Sequence, residues 1–535
     1  MRLTRIAICN HSRIADVEIE VRDHLVLVGP NDVGKSSLLR CLDFLLGAST
    51  AQLYNRITAE DFADRAVPFS VEADLTGLDA TDKAHFPDEA TVDPTTGQLT
   101  LALRLEAKVD ANGTVSIDRQ APDGGTRRQV SRDQLTALGW KLLGATAMVR
   151  DLREDRRGAL DDILQSVDLG AEKAVLDTLL KKVQEALDNS SVLDQLRTDL
   201  SSHLSKALPS DIDKDALSLV TNALADDDVL AGVRLRIAKD GKTKDVTEQS
   251  DGLRALYALA LYDLVSVGSN MVAIDEPEIH LHPTSQRSLA RLLQSGHNQK
   301  FLATHSPDII SAFPADCIVS VRPGGKLVQP AAGFLSDDEK MVVRWWVRNK
   351  LEPLTANRIL AVEGISDQIV IERVAELTGR SLDRLGITIV QTGGANDMPP
   401  FVRLFGKNGF DVPLSILIDE DARAATATEL GYAPTDLKTH GVFVSDPDLE
   451  GEYVAALGAS ATWTALERSG LFKHGSLQNA QASGPGGTRS AEDVRSFCVH
   501  KKHKVHAAMA VASVLTADTA KAIVSVNDML NAAQD

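Results

Sequence analysis

Two groups of carboxylates, each at the end of an apolar run, mark two places on this chain where divalent cations can meet phosphate. The first belongs to a nucleotide site. Gly29-Pro30-Asn31-Asp32-Val33-Gly34-Lys35-Ser36 follows Leu25-Val26-Leu27-Val28, and far downstream Met271-Val272-Ala273-Ile274 ends in Asp275-Glu276. In Gly29-x4-Gly34-Lys35-Ser36 the glycines let backbone N–H groups curl around phosphate oxygens. Lys35 brings a point charge to the β- and γ-phosphates, and the Ser36 hydroxyl ligates Mg2+. Asn31, Gly34, Lys35, Ser36 and Ser37 are the expected cradle for ATP. Asp275 is placed to hold the Mg2+ through water, and Glu276 to polarise an attacking water. Phe301-Leu302-Ala303 reads as a further strand that delivers His305 to the γ-phosphate side.

The second group lies in the C-terminal part. Ile359-Leu360-Ala361-Val362 ends in Glu363-Gly364, with Asp367, a further expected metal ligand, in the helix expected next, and Leu414-Ser415-Ile416-Leu417-Ile418 ends in Asp419-Glu420-Asp421. Alternate residues of a strand point the same way, so Asp419 and Asp421 are expected to face one site together with Glu363. Such oxygen ligands bind hard cations, Mg2+ first, with Mn2+ or Ca2+ as substitutes. Two ions roughly 4 Å apart activate a water and stabilise the leaving oxygen of a phosphodiester. Strand ends of this kind also occur as plain helix caps, so order and spacing carry the reading.

The elements that must position these groups define an α/β protein. At 535 residues the chain is too long for one core. Residues 3–9 and 15–21 alternate as a hairpin, residues 36–46 read as a helix closed by Gly47, and residues 68–120 are strand-rich. Residues 1–155 and 229–334 are expected to form the two parts of an ATPase domain. Between them, residues 156–228 are a charged, Leu/Ala-rich helical insertion, read either as a dimerisation element or as a helical layer of the same domain. Residues 335–356 form a linker helix whose Trp345 and Trp346 suit burial at a domain interface better than base stacking. Residues 357–535 alternate strand and helix as a second domain, with a flexible loop at 481–488.

Composition narrows the class. A net charge of −18 excludes a general nucleic-acid coat. Any contact with nucleic acid then falls to local basic patches, of which there are three: Arg127, Arg128 and Arg132; Arg344, Arg348 and Lys350; Lys501, Lys502 and Lys504. For the first two patches a solvated face is the leading reading, and the third is the exception. Cys9, Cys41, Cys317 and Cys498 are too scattered for a disulfide framework or a zinc knuckle. The chain starts as a strand and holds no apolar run near the ~18 residues a membrane span needs. A cytoplasmic protein with no membrane partner is expected.

The nucleotide motifs resemble the heads of the ATP-binding-cassette superfamily, in the branch of the RecF, Rad50 and SMC type. The resemblance implies that a Ser-Gly-Gly element of one subunit closes over ATP held by the other. Ser250-Asp251-Gly252 stands in that place, so Ser250 and Gly252 join the nucleotide-binding set, with Asp251 departing from the pattern. Glu276-Pro277-Glu278-Ile279-His280-Leu281-His282-Pro283 is similar to the segment after the Walker B strand of RecF-like and OLD-type ATPases. That favours a structural or ATP-interface role for His280 and His282 over metal ligation.

Glu363-Gly364, Gly393-Gly394 and Asp419-Glu420-Asp421, in order, resemble the Toprim fold of topoisomerases, primases and OLD nucleases. An ABC-type ATPase fused to a Toprim domain resembles the OLD (overcoming lysogenization defect) family, which includes the nuclease subunit of Gabija antiphage systems. The resemblance implies further metal ligands, for which Ser445 and Glu450 lead, ahead of Asp448 and Glu452. It also implies a lysine that stabilises the transition-state phosphate: Lys504 first, Lys502 next, with a solvated basic turn as the alternative. The expected catalytic set is Glu276 and His305 at the ATP site, and Glu363 and Lys504 at the metal site.

The function expected is an ATP-binding, divalent-metal-dependent endonuclease. It would nick or cut duplex DNA, gated by its ATPase, in antiphage defence or DNA repair, with a slow ATP hydrolysis. The expected partners are DNA and a second copy in a homodimer or tetramer; the residues leave open whether a separately encoded helicase joins them. The alternatives are a RecF-like repair ATPase that clamps DNA without cutting it, and a Toprim ribonuclease.

Overall fold

The N-terminal alternation forms an antiparallel hairpin, strand Arg2–Cys9 pairing with Val17–Glu20 so that Ile6 lies opposite Ile19. In the computed structural model the described residues are 1–94, 97–110, 112–124, 128–143, 169–170, 172–195, 198, 214–216, 236–239, 242–245, 269–279, 281–334, 352–393 and 398–534. Their contacts divide into two units, one made of residues 3–131 with 301–535, the other of 132–300.

In the first unit the hairpin continues through Phe69–Thr76 into Leu99–Val109, the outer face solvated and the inner face buried as period-two alternation requires. Leu25–Val28 belongs to a different, parallel sheet, flanked by Ile318–Arg322 and Gln299–Ala303. All four of its residues are buried, the continuous apolar run of a strand covered on both faces. Helix Lys35–Leu46 follows it and buries Leu38, Leu39, Leu42 and Phe44, ending at Gly47.

The C-terminal part is a four-stranded parallel sheet in the order Ile387–Gln391, Arg358–Val362, Leu414–Asp419, Val442–Ser445. Its two central strands end side by side, so Glu363 and Asp419 leave the same edge. Helix Ile365–Leu377 packs closely against Lys504–Val514, whose buried Ala507, Ala508 and Ala510 allow the approach, and Arg373 Nε donates to Ala512 O at 3.0 Å. Helix Val524–Ala532 packs on the Val442–Ser445 strand. The segment expected to be a flexible loop is tied down instead: Gly484 N donates to Thr488 O at 2.8 Å, and the Asp493 carboxylate takes the Ser483 N–H at 2.7 Å. Backbone N–H donors from Ser483 and Ser490 hold Asp493 down at about 2.

The same unit contains a seam between the parallel sheet of the nucleotide half and the C-terminal half. Arg322, closing its strand, donates from both terminal nitrogens to the main-chain carbonyls of Phe410 and Asp411. Ser320 Oγ donates to Leu354 O at 2.7 Å, and Ala331 N to Asn408 O at 3.2 Å. Asp411 has φ of 47°, and a Cβ on Gly409 would lie 1.9 Å from Leu404 O, so the receiving loop is tightly wound.

In the second unit Trp140–Leu143 runs parallel to Met271–Asp275, and Arg236–Lys239 forms the expected hairpin with Lys242–Asp245. Helix Glu172–Asp188 has no buried residue. Among the described residues no helix is long and apolar enough to cross a membrane. The four cysteines are unpaired thiols, and burial pushes Cys317 to about 11 and Cys498 to about 12. Trp345, Trp346, Arg127 and the 344–350 basic patch lie outside the described residues.

Arg322→Ala is expected to destabilise the protein by about 2 kcal/mol, because two carbonyls lose charge-assisted donors. Arg322→Lys is expected to recover less than half of that, since an ammonium cannot span both carbonyls as a planar fork does. Equilibrium denaturant unfolding of the three proteins measures both values.

Candidate nucleotide site and candidate metal centre

The phosphate loop is built by close backbone contact. A Cβ on Gly29 would sit 2.2 Å from Val321 O, and Gly34, at φ 110°, would place one 2.7 Å from Arg13 O. Only glycine satisfies both the space and the conformation at Gly34. Helix Lys35–Leu46 begins there with no side-chain cap, the arrangement that receives phosphate at a helix N-terminus. Lys35 is 5% exposed, and its ammonium donates to Gly29 O at 2.8 Å and Pro30 O at 2.6 Å. Asn31 and Ser36 are exposed and Ser37 half-buried beside it. The loop therefore fits a nucleotide phosphate, with Lys35 exchanging carbonyl partners for phosphate oxygens.

Register carries His305 to this end of the sheet. Ala303 lies opposite Leu27 and Thr304 N donates to Leu27 O at 3.1 Å, so His305 emerges beside the strand that runs into Gly29. In the second unit, Asp275 closes a buried strand and Glu276 follows with φ of 48°, a costly conformation for a residue with a Cβ. His282 caps helix Pro283–Ser295, its Nδ1 3.1 Å from Thr284 Oγ1. His280, Ser250, Asp251 and Gly252 lie outside the described residues.

The C-terminal carboxylates converge. Lys504 Nζ lies 3.6 Å from Glu450 Oε1 and 3.8 Å from Asp419 Oδ2. Asp367, 6% exposed, caps its own helix by accepting from Gly364 N at 2.9 Å and from Ser366 Oγ at 3.2 Å. Glu450, 1% exposed, sits in the first turn of helix Leu449–Leu457, and Leu449 N donates to Asp419 Oδ1 at 3.2 Å. Asp421 corrects the alternation argument: the strand stops at Asp419, and Glu420–Ala422 is a 3-10 turn, so a helical turn and not the pleat sets the Asp421 direction. Its charge is nonetheless felt by Glu363.

Electrostatics follow from the crowding. Burial pushes the Asp419 carboxyl up to about 7; Lys504 works against this, while Glu363, Glu450 and Asp367 add to it. Burial raises Glu450 to about 7 in the same way, opposed by Lys504 and helped by Asp367 and Asp448. Glu363 and Asp367 are also raised, again through burial first. Burial disfavours the Lys504 charge, but Glu450, Asp367, Asp419 and Glu363 outweigh it and hold the ammonium above the ordinary lysine range.

Among the described residues no three His, Cys, Asp or Glu groups stand close enough to cage an ion as the side chains lie. The donor set nevertheless fits a hard divalent cation. Every ligand is a carboxylate oxygen, and Glu450 Oε2 is buried with no hydrogen-bond partner among the described residues.

Ser445 lies in register with Asp419, but its buried hydroxyl is 2.9 Å from Ser525 Oγ. Glu452 accepts from Ser525 N at 3.0 Å, and Asp448 caps helix Leu449–Leu457 through Gly451 N at 2.6 Å. Lys502 is exposed on the turn before Lys504. Sequence reasoning missed Ser525 and Arg495, the partners of Ser445 and Asp448. Ser525 stands 80 residues from Ser445 and carries no motif, whereas the Asp448-x-x-Gly451 cap was visible in principle.

Residues 25–311 match the family described as "AAA domain, putative AbiEii toxin, Type IV TA system", and residues 354–421 match "Overcoming lysogenization defect protein-like, TOPRIM domain". The chain belongs to the family of P-loop ATPases of this AAA type that carry an OLD-like Toprim domain at their C-terminal side. It is 24% identical to the "OLD nuclease" of Thermus scotoductus over 461 residues, covering 78% of this chain and 82% of that one. It is 22% identical to "Endonuclease GajA" of Bacillus cereus, covering 74% of this chain and 71% of the relative. A solved C-terminal region of the Burkholderia pseudomallei OLD protein is 22% identical, covering 34% of this chain and 98% of that structure, with a TM-score of 0.28.

Lys35→Ala is expected to weaken ATP binding by roughly 10- to 100-fold, the worth of one charge-assisted bond to phosphate. Titration with a fluorescent ATP analogue reads this directly, and unchanged affinity would remove Lys35 from the site.

Proposed function

We propose that this protein is a divalent-metal-dependent endonuclease that nicks or cuts duplex DNA, with cleavage governed by its ATPase half, in antiphage defence or DNA repair. The observation that carries the reading is the crowding of Glu363, Asp367, Asp419 and Glu450 around Lys504 at the carboxyl edge of a parallel sheet. The names of the relatives, a nuclease and an endonuclease, support it. Glu363, Asp419 and Glu450 would hold the ions, with Asp421 beside them, and Ser445 through its Ser525 contact supports the floor of the site. When bound, two divalent ions supply Lewis-acid polarisation of the scissile phosphate and lower the pKa of an attacking water. Asp367 anchors the helix behind Glu363. Lys504, released from its carboxylate partners, meets the charge that builds on the phosphate oxygens. Lys501 and Lys502, exposed one turn away, suit contact with neighbouring phosphates.

Purified protein with Mg2+ or Mn2+ is expected to nick or linearise supercoiled plasmid, and Asp419→Ala to abolish this. Parallel digestion of total RNA separates DNA from RNA cleavage, and an assay lacking any helicase tests whether one is needed. Glu450→Gln is expected to be at least as stable as wild type in EDTA, since it removes a buried charge from a repelling group. It is also expected to lose the stabilisation that Mg2+ gives wild type, ~2.7 kcal/mol at a hundred times the dissociation constant. Cleavage that survives Asp419→Ala would overturn the assignment.

The oligomer proposed is a homodimer, or a tetramer built from dimers, that exists without nucleotide. Val175, Leu179 and Val183 recur along one face of helix Glu172–Asp188 and are 61, 51 and 47% exposed, an apolar stripe suited to a symmetry mate. Light scattering is expected to give at least a dimeric mass at micromolar concentration, and a monomeric mass after replacement of all three by serine. A monomeric wild type would sink the proposal.

A further inference from the structure

One charged side chain outside the carboxylate group is built into its geometry. The first turn of helix Leu449–Leu457 serves the metal centre twice: it carries Glu450, and its Leu449 N–H donates to Asp419. What fixes that turn is Asp448. Its Oδ1 accepts the Gly451 N–H at 2.6 Å, and its Oδ2 accepts both Nε and Nη2 of Arg495, at 2.8 and 2.6 Å. The turn has no slack: a Cβ on Gly451 would lie 2.9 Å from Pro447 Cδ and 3.3 Å from Asp448 Oδ1. Arg495 comes from a different helix, Ala491–Val499, and its remaining nitrogen, Nη1, is 2.8 Å from Glu492 Oε1, which holds the guanidinium plane.

The pair is mostly out of water, the Asp448 side chain being 7% exposed and that of Arg495 27%. A carboxylate so buried, two residues from Glu450, is costly unless a cation cancels it. Among the described residues Arg495 has no hydrogen bond or ion pair with Glu363, Asp367, Asp419 or Glu450, so its effect runs through Asp448.

We propose that Arg495 is a positioning residue of the metal centre. By neutralising and clamping Asp448, it holds the turn that presents Glu450 and the Leu449 N–H to the ions. The inference rests on the reading of the site as a nuclease centre.

The test compares wild type with Arg495→Met, Arg495→Lys and the double variant Asp448→Asn/Arg495→Met, using Mn2+ binding by calorimetry and plasmid cleavage kinetics. Arg495→Met is expected to weaken Mn2+ binding and lower kcat by roughly 10- to 100-fold, the usual effect of losing a partner behind a metal ligand. Its KM for plasmid should stay within about twofold, because Arg495 does not touch the substrate in this scheme. Arg495→Lys should recover part of the loss. The double variant should recover most of it, because asparagine still caps the helix and no unpaired charge remains. It also keeps the test valid if Arg495→Met alone fails to fold. Wild-type Mn2+ affinity in Arg495→Met overturns the inference, as does a raised KM with unchanged Mn2+ affinity, or a double variant as impaired in Mn2+ binding as the single. A wild type that neither binds Mn2+ nor cuts plasmid overturns the nuclease reading and this inference with it.

Discussion

Like charges held together at the edge of a parallel sheet set the terms for the C-terminal half. Glu363 and Asp419 leave adjacent central strands, Asp367 and Glu450 enter from the first turns of two helices packed in one core, and burial makes their ionised forms expensive. Among the described residues one ammonium, Lys504, stands beside these groups as the compensating charge. Such a cluster is relieved by protonation or by a cation, and the chain places one cation of its own within it. Most of the surrounding architecture keeps these groups close enough to repel.

The small residues of helix Lys504–Val514 bring that helix against Ile365–Leu377, and its N-terminal end brings Lys504 to the carboxylates. Helix Val524–Ala532 packs in the same core and contributes Ser525, which meets both Ser445 and Glu452. The nucleotide loop solves the opposite problem. There the ligand is the anion, and the protein offers backbone N–H groups and one buried lysine, shaped by glycines against Val321 O and Arg13 O.

Much of this is legible in the sequence because local chemistry fixes it. The P-loop and the buried strands ending in Glu363 and Asp419 are short-range patterns with a physical reason for each residue, whereas Lys504 is singled out by the family resemblance alone. Where expectation and structure part, a competing local preference wins. Strand alternation would aim Asp421, but Glu420 and Ala422 close a 3-10 turn and the pleat ends at Asp419. Residues 481–488 have the composition of a loose loop, yet Asp493 and the Gly484–Thr488 bond fasten it. Ser445 is singled out by the family resemblance alone, and its partner comes from a helix that no motif connects to it. Pairings across long stretches of chain, such as Asp448 with Arg495, leave no periodic trace in one sequence.

The seam made by Arg322 has a consequence for how such chains diversify. Its guanidinium grips the peptide carbonyls of Phe410 and Asp411, groups that every residue possesses, and Ser320 and Ala331 likewise meet main-chain atoms. A joint made this way reads the loop's path far more than its side chains, and that path is set at few positions, Gly409 and the left-handed Asp411 among them. Elsewhere on the receiving side sequence can drift while the attachment persists, so a C-terminal half that keeps this loop's path keeps its anchorage to a single arginine.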